Sequence, residues 1–130
     1  MEWILKNICM SIQAKVSLKT EKYTVADLYE PAKSRLIKLI SDSTFKQMVT
    51  DSFRELESIG LMGNLLAHDN LDAANASISE VERFSLAVHA LHVILQCPCC
   101  ETFLKYYHDI KRLRCPNGRC VYPSEVTCSP

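Results

Sequence analysis

Cys97-Pro98-Cys99-Cys100 and, after fourteen intervening residues, Cys115-Pro116-Asn117-Gly118-Arg119-Cys120 decide how the end of this chain folds. Pairing Cys97 with Cys100 gives C-x2-C, and pairing Cys115 with Cys120 gives C-x4-C. Two thiolate pairs on tight turns, separated by a hairpin's length, present four sulfurs tetrahedrally, which is what a closed structural zinc site requires. Proline after the first cysteine and glycine before the last suit turns that aim backbone amides at sulfur. A catalytic zinc keeps one position open on three protein ligands, so four available cysteines favour the closed kind. Cys99, His108 and Cys128 are spare donors, expected to stay unliganded.

Between and after the pairs, aromatic and branched residues mix with charges without a long helical stripe, as in a short hairpin held by the cysteines. Residues 97–123, including Tyr106-Tyr107 and Val121-Tyr122-Pro123, resemble a zinc ribbon, similar to those appended to topoisomerases and restriction-type nucleases. The C-x4-C half and the crowded Cys97-Cys99-Cys100 depart from the commonest C-x2-C pairs and leave the choice of sulfurs open. Residues 97–130 hold five basic and three acidic residues. Four thiolates around one zinc ion offset that excess. What remains is a local cluster at Lys111, Arg112, Arg114 and Arg119, the candidate contacts to nucleic-acid phosphates, with tyrosines able to stack on bases.

Outward from the ribbon, the 130-residue chain is 48% hydrophobic and 23% charged, compatible with a packed core. Lysine plus arginine balances aspartate plus glutamate, 15 against 15, which excludes a strongly basic clamp or an acidic tail for the chain as a whole. Seven cysteines, an odd number, without a basic-then-apolar leader at Met1-Glu2-Trp3-Ile4-Leu5-Lys6 argue against a disulfide framework. No apolar run approaches the roughly 18 residues that cross a bilayer. The expectation is a cytoplasmic protein with no membrane segment.

Residues 1–96 read as four helices. Ile4, Ile8, Ile12 and Val16 recur every four residues in the first. Thr24 and Asp27 have capping-box spacing before the second, which turns Leu28, Ala32, Leu36, Leu39 and Ile40 inward, with Pro31 placed in its first turn. Ser43 or Thr44 caps a third with the stripe Phe45, Met48, Val49, Phe53, Leu56 and Ile59, loosened by Gly60 and Gly63. Ser79 and Glu82 box the fourth, which carries Val81, Phe84, Val88, Leu91 and Leu95. His89 and His92 lie opposite that stripe, on what reads as a solvated polar face.

Gly63-Asn64-Leu65-Leu66-Ala67-His68 adds a second resemblance. Residues 28–95 are similar to the HEPN superfamily of helical domains, in the branch with a Gly-Asn-x3-His pattern found beside nucleases and ATPases in bacterial defence systems. In ribonuclease members the resemblance implies an arginine that stabilises phosphate charge and a histidine that transfers protons. The arginine should stand at 61–63, where this chain has Leu61, Met62 and Gly63. A histidine alone leaves the developing charge on phosphorus uncompensated, which favours a non-catalytic role. Gly63 would then allow close helix approach, with Asn64 and His68 hydrogen-bonding across it.

The fold class expected is therefore mainly α: a four-helix HEPN-like bundle over residues 1–96 and a β-hairpin zinc ribbon over 97–130. The expected function is a non-catalytic binding or regulatory module with a structural Zn2+ on Cys97, Cys100, Cys115 and Cys120, acting in a nucleic-acid-directed assembly. Expected partners are a second copy, meeting near Leu65 and Leu66, or a larger complex. The alternatives are a dimeric ribonuclease using His68, with Arg54 the nearest arginine on the preceding helix, and a zinc-stapled protein-interaction module.

Overall fold

A computed structural model describes residues 1–17, 23–67, 77–117, 120 and 125–128. As expected, the chain is mainly helical with a small antiparallel sheet near its C-terminus. The described helices are α1 (Glu2–Ser11), α2 (Val25–Leu39), α3 (Ser43–Glu57), α4 (Gly60–Ala67) and α5 (Ile78–Ile94). The strands are β1 (Lys105–Tyr107), β2 (Arg112–Arg114) and β3 (Glu125–Thr127). Two details go beyond the sequence reading. The glycine-containing stretch after α3 is a short helix of its own, and the hairpin gains a third strand, in the order β1-β2-β3. Among the described residues no helix is long and apolar enough to cross a membrane.

Local chemistry explains most boundaries. The Thr24–Asp27 capping box forms as expected: the Thr24 amide donates to the Asp27 carboxylate at 2.8 Å, and the Asp27 amide donates to the Thr24 hydroxyl at 3.4 Å. The other caps sit elsewhere. Asp42, rather than Ser43 or Thr44, caps α3 through the Phe45 amide at 2.7 Å. Ser77, rather than Ser79, caps α5 through the Glu80 amide at 3.2 Å. Both Ser77-Glu80 and Ser79-Glu82 have the same spacing, and the earlier one wins. Helix α1 stops short of Val16. Gln13 takes a left-handed φ of 57°, its amide donates to the Met10 carbonyl and the Ala14 amide to the Cys9 carbonyl. That double closure is a Schellman stop built without glycine. Pro31 lies well inside α2 rather than in its first turn, so the helix lacks the amide that would reach the Asp27 carbonyl.

One apolar core runs through the helices and under the sheet. Leu5, Ile8, Leu36, Val49, Phe53, Leu56, Ile59, Met62 and Leu91 are fully buried. Phe53 meets Tyr29 edge to face at 5.7 Å, a contact worth about 0.5–1.5 kcal/mol beyond burial. The Tyr29 hydroxyl donates to the Glu57 carboxylate at 2.8 Å, and Lys33 pairs with the same group, tying α2 to the end of α3. Two residues assigned inward by periodicity, Met48 and Val81, are instead exposed.

The sheet docks on the helices at both ends. The Ser41 amide donates to the Thr127 carbonyl at 2.9 Å, and the Leu104 amide to the Leu95 carbonyl at 2.9 Å. Alternation turns Tyr106, Leu113 and Val126 into the shared core. The Arg35 guanidinium of α2 lies 5.4 Å from the centre of the Tyr106 ring, and its Nε donates to the Ile12 carbonyl at 3.2 Å.

Gly63 does not mediate a close helix approach. Leu61 and Met62 of α4 are buried, while Gly63 is exposed and a Cβ there would meet nothing within 4 Å. Glycine in a helix with open space around it only costs backbone entropy. Gly63→Ala is therefore expected to raise the unfolding free energy by about 0.5–1 kcal/mol, measured by chemical denaturation. A loss of stability would mean that a neighbour needs the space.

Candidate metal centre

Helix α5 delivers the first cysteine pair. Just past its end the Cys97 amide donates to the Thr102 carbonyl and the Glu101 amide to the Cys97 carbonyl, each at 2.8 Å. Glu101 turns the chain with a left-handed φ of 60°, which folds residues 97–101 into a tight loop with its amides turned toward sulfur. The second pair follows β2. There the Asn117 amide donates to the Cys115 sulfur at 3.4 Å, and the Cys120 amide to the Asn117 carbonyl at 3.2 Å.

These two turns bring the sulfurs of Cys97, Cys100, Cys115 and Cys120 within 4.8 Å of one another. Three of the separations are 3.8 Å (Cys97 to Cys120), 3.5 Å (Cys100 to Cys115) and 3.6 Å (Cys115 to Cys120). A tetrahedron with zinc–sulfur bonds of about 2.3 Å has edges of about 3.8 Å, so the spacing fits an ion of that size at the centre. All four thiols are free rather than paired in disulfides. Cys97 and Cys115 are buried, Cys100 and Cys120 half-buried. The four cysteines can hold a metal ion.

The electrostatics of the cluster favour a cation at its centre. The Thr102 hydroxyl, 3.3 Å from the Cys100 sulfur, and the Thr102 amide hold that thiol down to about 6. The Cys100 amide, then the Cys99 amide, pull Cys97 in the same direction against the burial that opposes it. Burial, more than the Cys97 and Cys100 sulfurs, pushes Cys115 up. The neighbouring Cys100 sulfur, then burial, pushes Cys120 up. Four thiolates at this spacing repel one another unless a cation neutralises them. Thr102 carries no metal-binding signature in the sequence, and only the folded loop reveals its role.

The spare donors stand apart from the cluster. Cys99 is exposed. Cys128 is buried, with its sulfur 3.5 Å from the Val126 carbonyl, and Cys9 is buried under α2, its thiol donating to the Leu28 carbonyl at 3.6 Å and pushed up to about 11 by burial. His108 sits 3.4 Å from the Lys111 ammonium. His68 lies outside the described residues, as does Arg119. Arg54 is exposed and paired with Asp51 at 3.4 Å. His92 is not on a solvated face: it stacks on Phe103 at 4.9 Å and meets Trp3 edge-on at 5.9 Å, joining α1, α5 and the cysteine loop. His89 is exposed.

Of the basic cluster, Arg112 and Arg114 project from the outer face of the sheet, while Lys111 is half-buried at the hairpin turn. The register adds Lys105 to the cluster and brings Tyr107, one of the tyrosines read as able to stack, beside it. Lys105 stands opposite Arg114, Tyr107 opposite Arg112, and the Lys105 ammonium lies 5.7 Å from the centre of the Tyr107 ring. Period-two alternation around the buried Tyr106 was the signal that could have found Lys105.

One metal ion per chain is the expected result of elemental analysis on protein purified without chelator. Cys97→Ser and Cys115→Ser should each lose the metal and unfold the sheet, because metal affinity is folding energy for so small a unit. Cys99→Ser should keep both. Metal retained in the first two variants would show that other ligands hold it.

No protein-family model matches this chain, and no curated protein or solved structure matches it either.

Proposed function

We propose that this chain is a non-catalytic binding module in which one structural zinc ion staples the C-terminal ribbon and the outer face of its sheet meets nucleic acid. Zinc is favoured because four thiolates in a tetrahedral arrangement suit that ion, with an iron–sulfur centre as the chemical competitor. A site closed by four sulfurs leaves no position for an activated water, which supports a structural rather than a hydrolytic metal. The HEPN resemblance, with its arginine missing at 61–63, fits a partner within a larger nucleic-acid-directed assembly better than a self-sufficient ribonuclease.

The observation that carries the nucleic-acid reading is the strand register. It gathers Lys105, Arg112 and Arg114 on one face around the half-buried Tyr107, with Thr127 opposite Arg112 and a single acidic position, Glu125, opposite Arg114. Cations supply phosphate attraction, and a tyrosine ring between them supplies a surface for base stacking.

Binding of a labelled oligonucleotide to the zinc-loaded chain should weaken steeply as salt rises. Replacing Arg112 and Arg114 together by alanine should flatten the log–log salt slope by roughly 1.4–1.8. Tyr107→Ala should weaken single-strand binding by about 1–3 kcal/mol and leave the slope unchanged. Absence of binding at low salt, or binding indifferent to the double replacement, would remove nucleic acid from this reading and leave the zinc staple standing.

A further inference from the structure

Helix α5 carries apolar residues on all sides, yet the described residues cover only one of them. Ala87 and Leu91 are buried and Phe84 and Val88 partly so, whereas Ile78 is 80% exposed, Leu86 70%, Val93 46% and Val81 44%. A helix with apolar residues all round is normally enclosed on every side, and clustered exposed apolar side chains mark an interaction surface.

At about 100° per residue, Ile78, Glu82, Ser85, Leu86, His89 and Val93 fall within an arc of about 100°, and Val81 and Ala90 flank it. The order of these residues is self-complementary. Turned end for end about the midpoint between Ser85 and Leu86, the helix brings Ile78 to Val93 and Glu82 to His89 of the second copy, while Leu86, beside the axis, meets its own counterpart. Apolar meets apolar at the centre and at both ends, and between them a carboxylate meets an imidazole N–H. A two-fold interface needs this property, since the same patch must face itself in reverse. The nearby Arg83 is already engaged by Glu55 at 2.8 Å and by the Ser58 hydroxyl at 3.2 Å, so it does not oppose the match.

We propose that the outer face of α5 docks a second copy of this chain, the two α5 helices packing antiparallel about a two-fold axis beside Ser85 and Leu86. The matched stripe from Ile78 to Val93 spans about 22 Å, four turns of helix. This places the contact on α5 rather than at Leu65, which packs partly against its own core, or Leu66, which is 37% exposed. The proposal does not depend on zinc or on nucleic acid.

Sedimentation equilibrium of the full metal-loaded chain tests it. The wild type should run at twice 14.8 kDa in the micromolar range. Leu86→Arg should run as the monomer with an unchanged melting temperature, because that side chain contributes little to the chain's own core. Should that variant misfold, the Ile78→Lys and Val93→Lys variants give the same readout independently. Glu82→Lys should weaken the dimer by about tenfold or more by removing the carboxylate that accepts from the His89 ring N–H. Adding His89→Glu to it should restore affinity, since the two exchanged charges then face each other across the axis with opposite sign. A wild type that stays at 14.8 kDa, including one that captures only a different protein, overturns the proposal. So does a dimer indifferent to Leu86→Arg, or a double variant as weak as Glu82→Lys alone.

Discussion

Repulsion among four sulfurs packed within 4.8 Å is the constraint on which the C-terminal part of this fold depends. Three strands of three residues each do not hold together alone, since hairpins of this size are marginal in water. Two supports act from opposite directions. Tyr106, Leu113 and Val126 sink into the helical core from beneath the sheet, and a cation held by the cysteine cluster would cross-link the two loops that flank β1 and β2. Removing the cation leaves thiols that must protonate to stay together, and Cys115 and Cys120, already pushed up, are the ones that would do so.

The helical part fixes where that cluster sits. Leu91 and Leu95 hold the last turns of α5 in the core, and Cys97 follows two residues later, fully buried. The Leu104 amide returns to the Leu95 carbonyl, so the cysteine loop is closed at both ends by the same helix. His92, stacked on Phe103 and edge-on to Trp3, braces this junction from the outside. A substitution deep in α5 therefore acts on the metal centre through backbone position rather than through any contact with sulfur.

How much of this was legible in the sequence follows from how local each feature is. The capping box at Thr24 and Asp27 is a four-residue event, and it forms as read. The cysteine spacing, being set by two tight turns, likewise announced the four sulfurs that come together. Features decided by tertiary context were hidden. Gln13 ends α1 in a left-handed conformation with no glycine to announce it, and two overlapping Ser-x-x-Glu patterns left the start of α5 ambiguous. Strand β3 follows the second cysteine pair, so the reading of a hairpin between the pairs did not reach it. The polar reading of His92 failed because its ring partners, Trp3 and Phe103, come from distant parts of the chain.

Burial and surface chemistry on the sheet are two consequences of one alternation. Because Tyr106, Leu113 and Val126 must face the helices, Lys105, Tyr107, Arg112 and Arg114 are driven to the opposite side, whatever the charge of the chain as a whole. Balance between acids and bases over 130 residues then says little about this face. At physiological salt, charges farther apart than about 8 Å are largely screened, so the field at this face is set by its own positions, Glu125 opposite Arg114 among them, and not by carboxylates on distant helices. The same packing that makes so small a sheet stable concentrates its cations where they can act together.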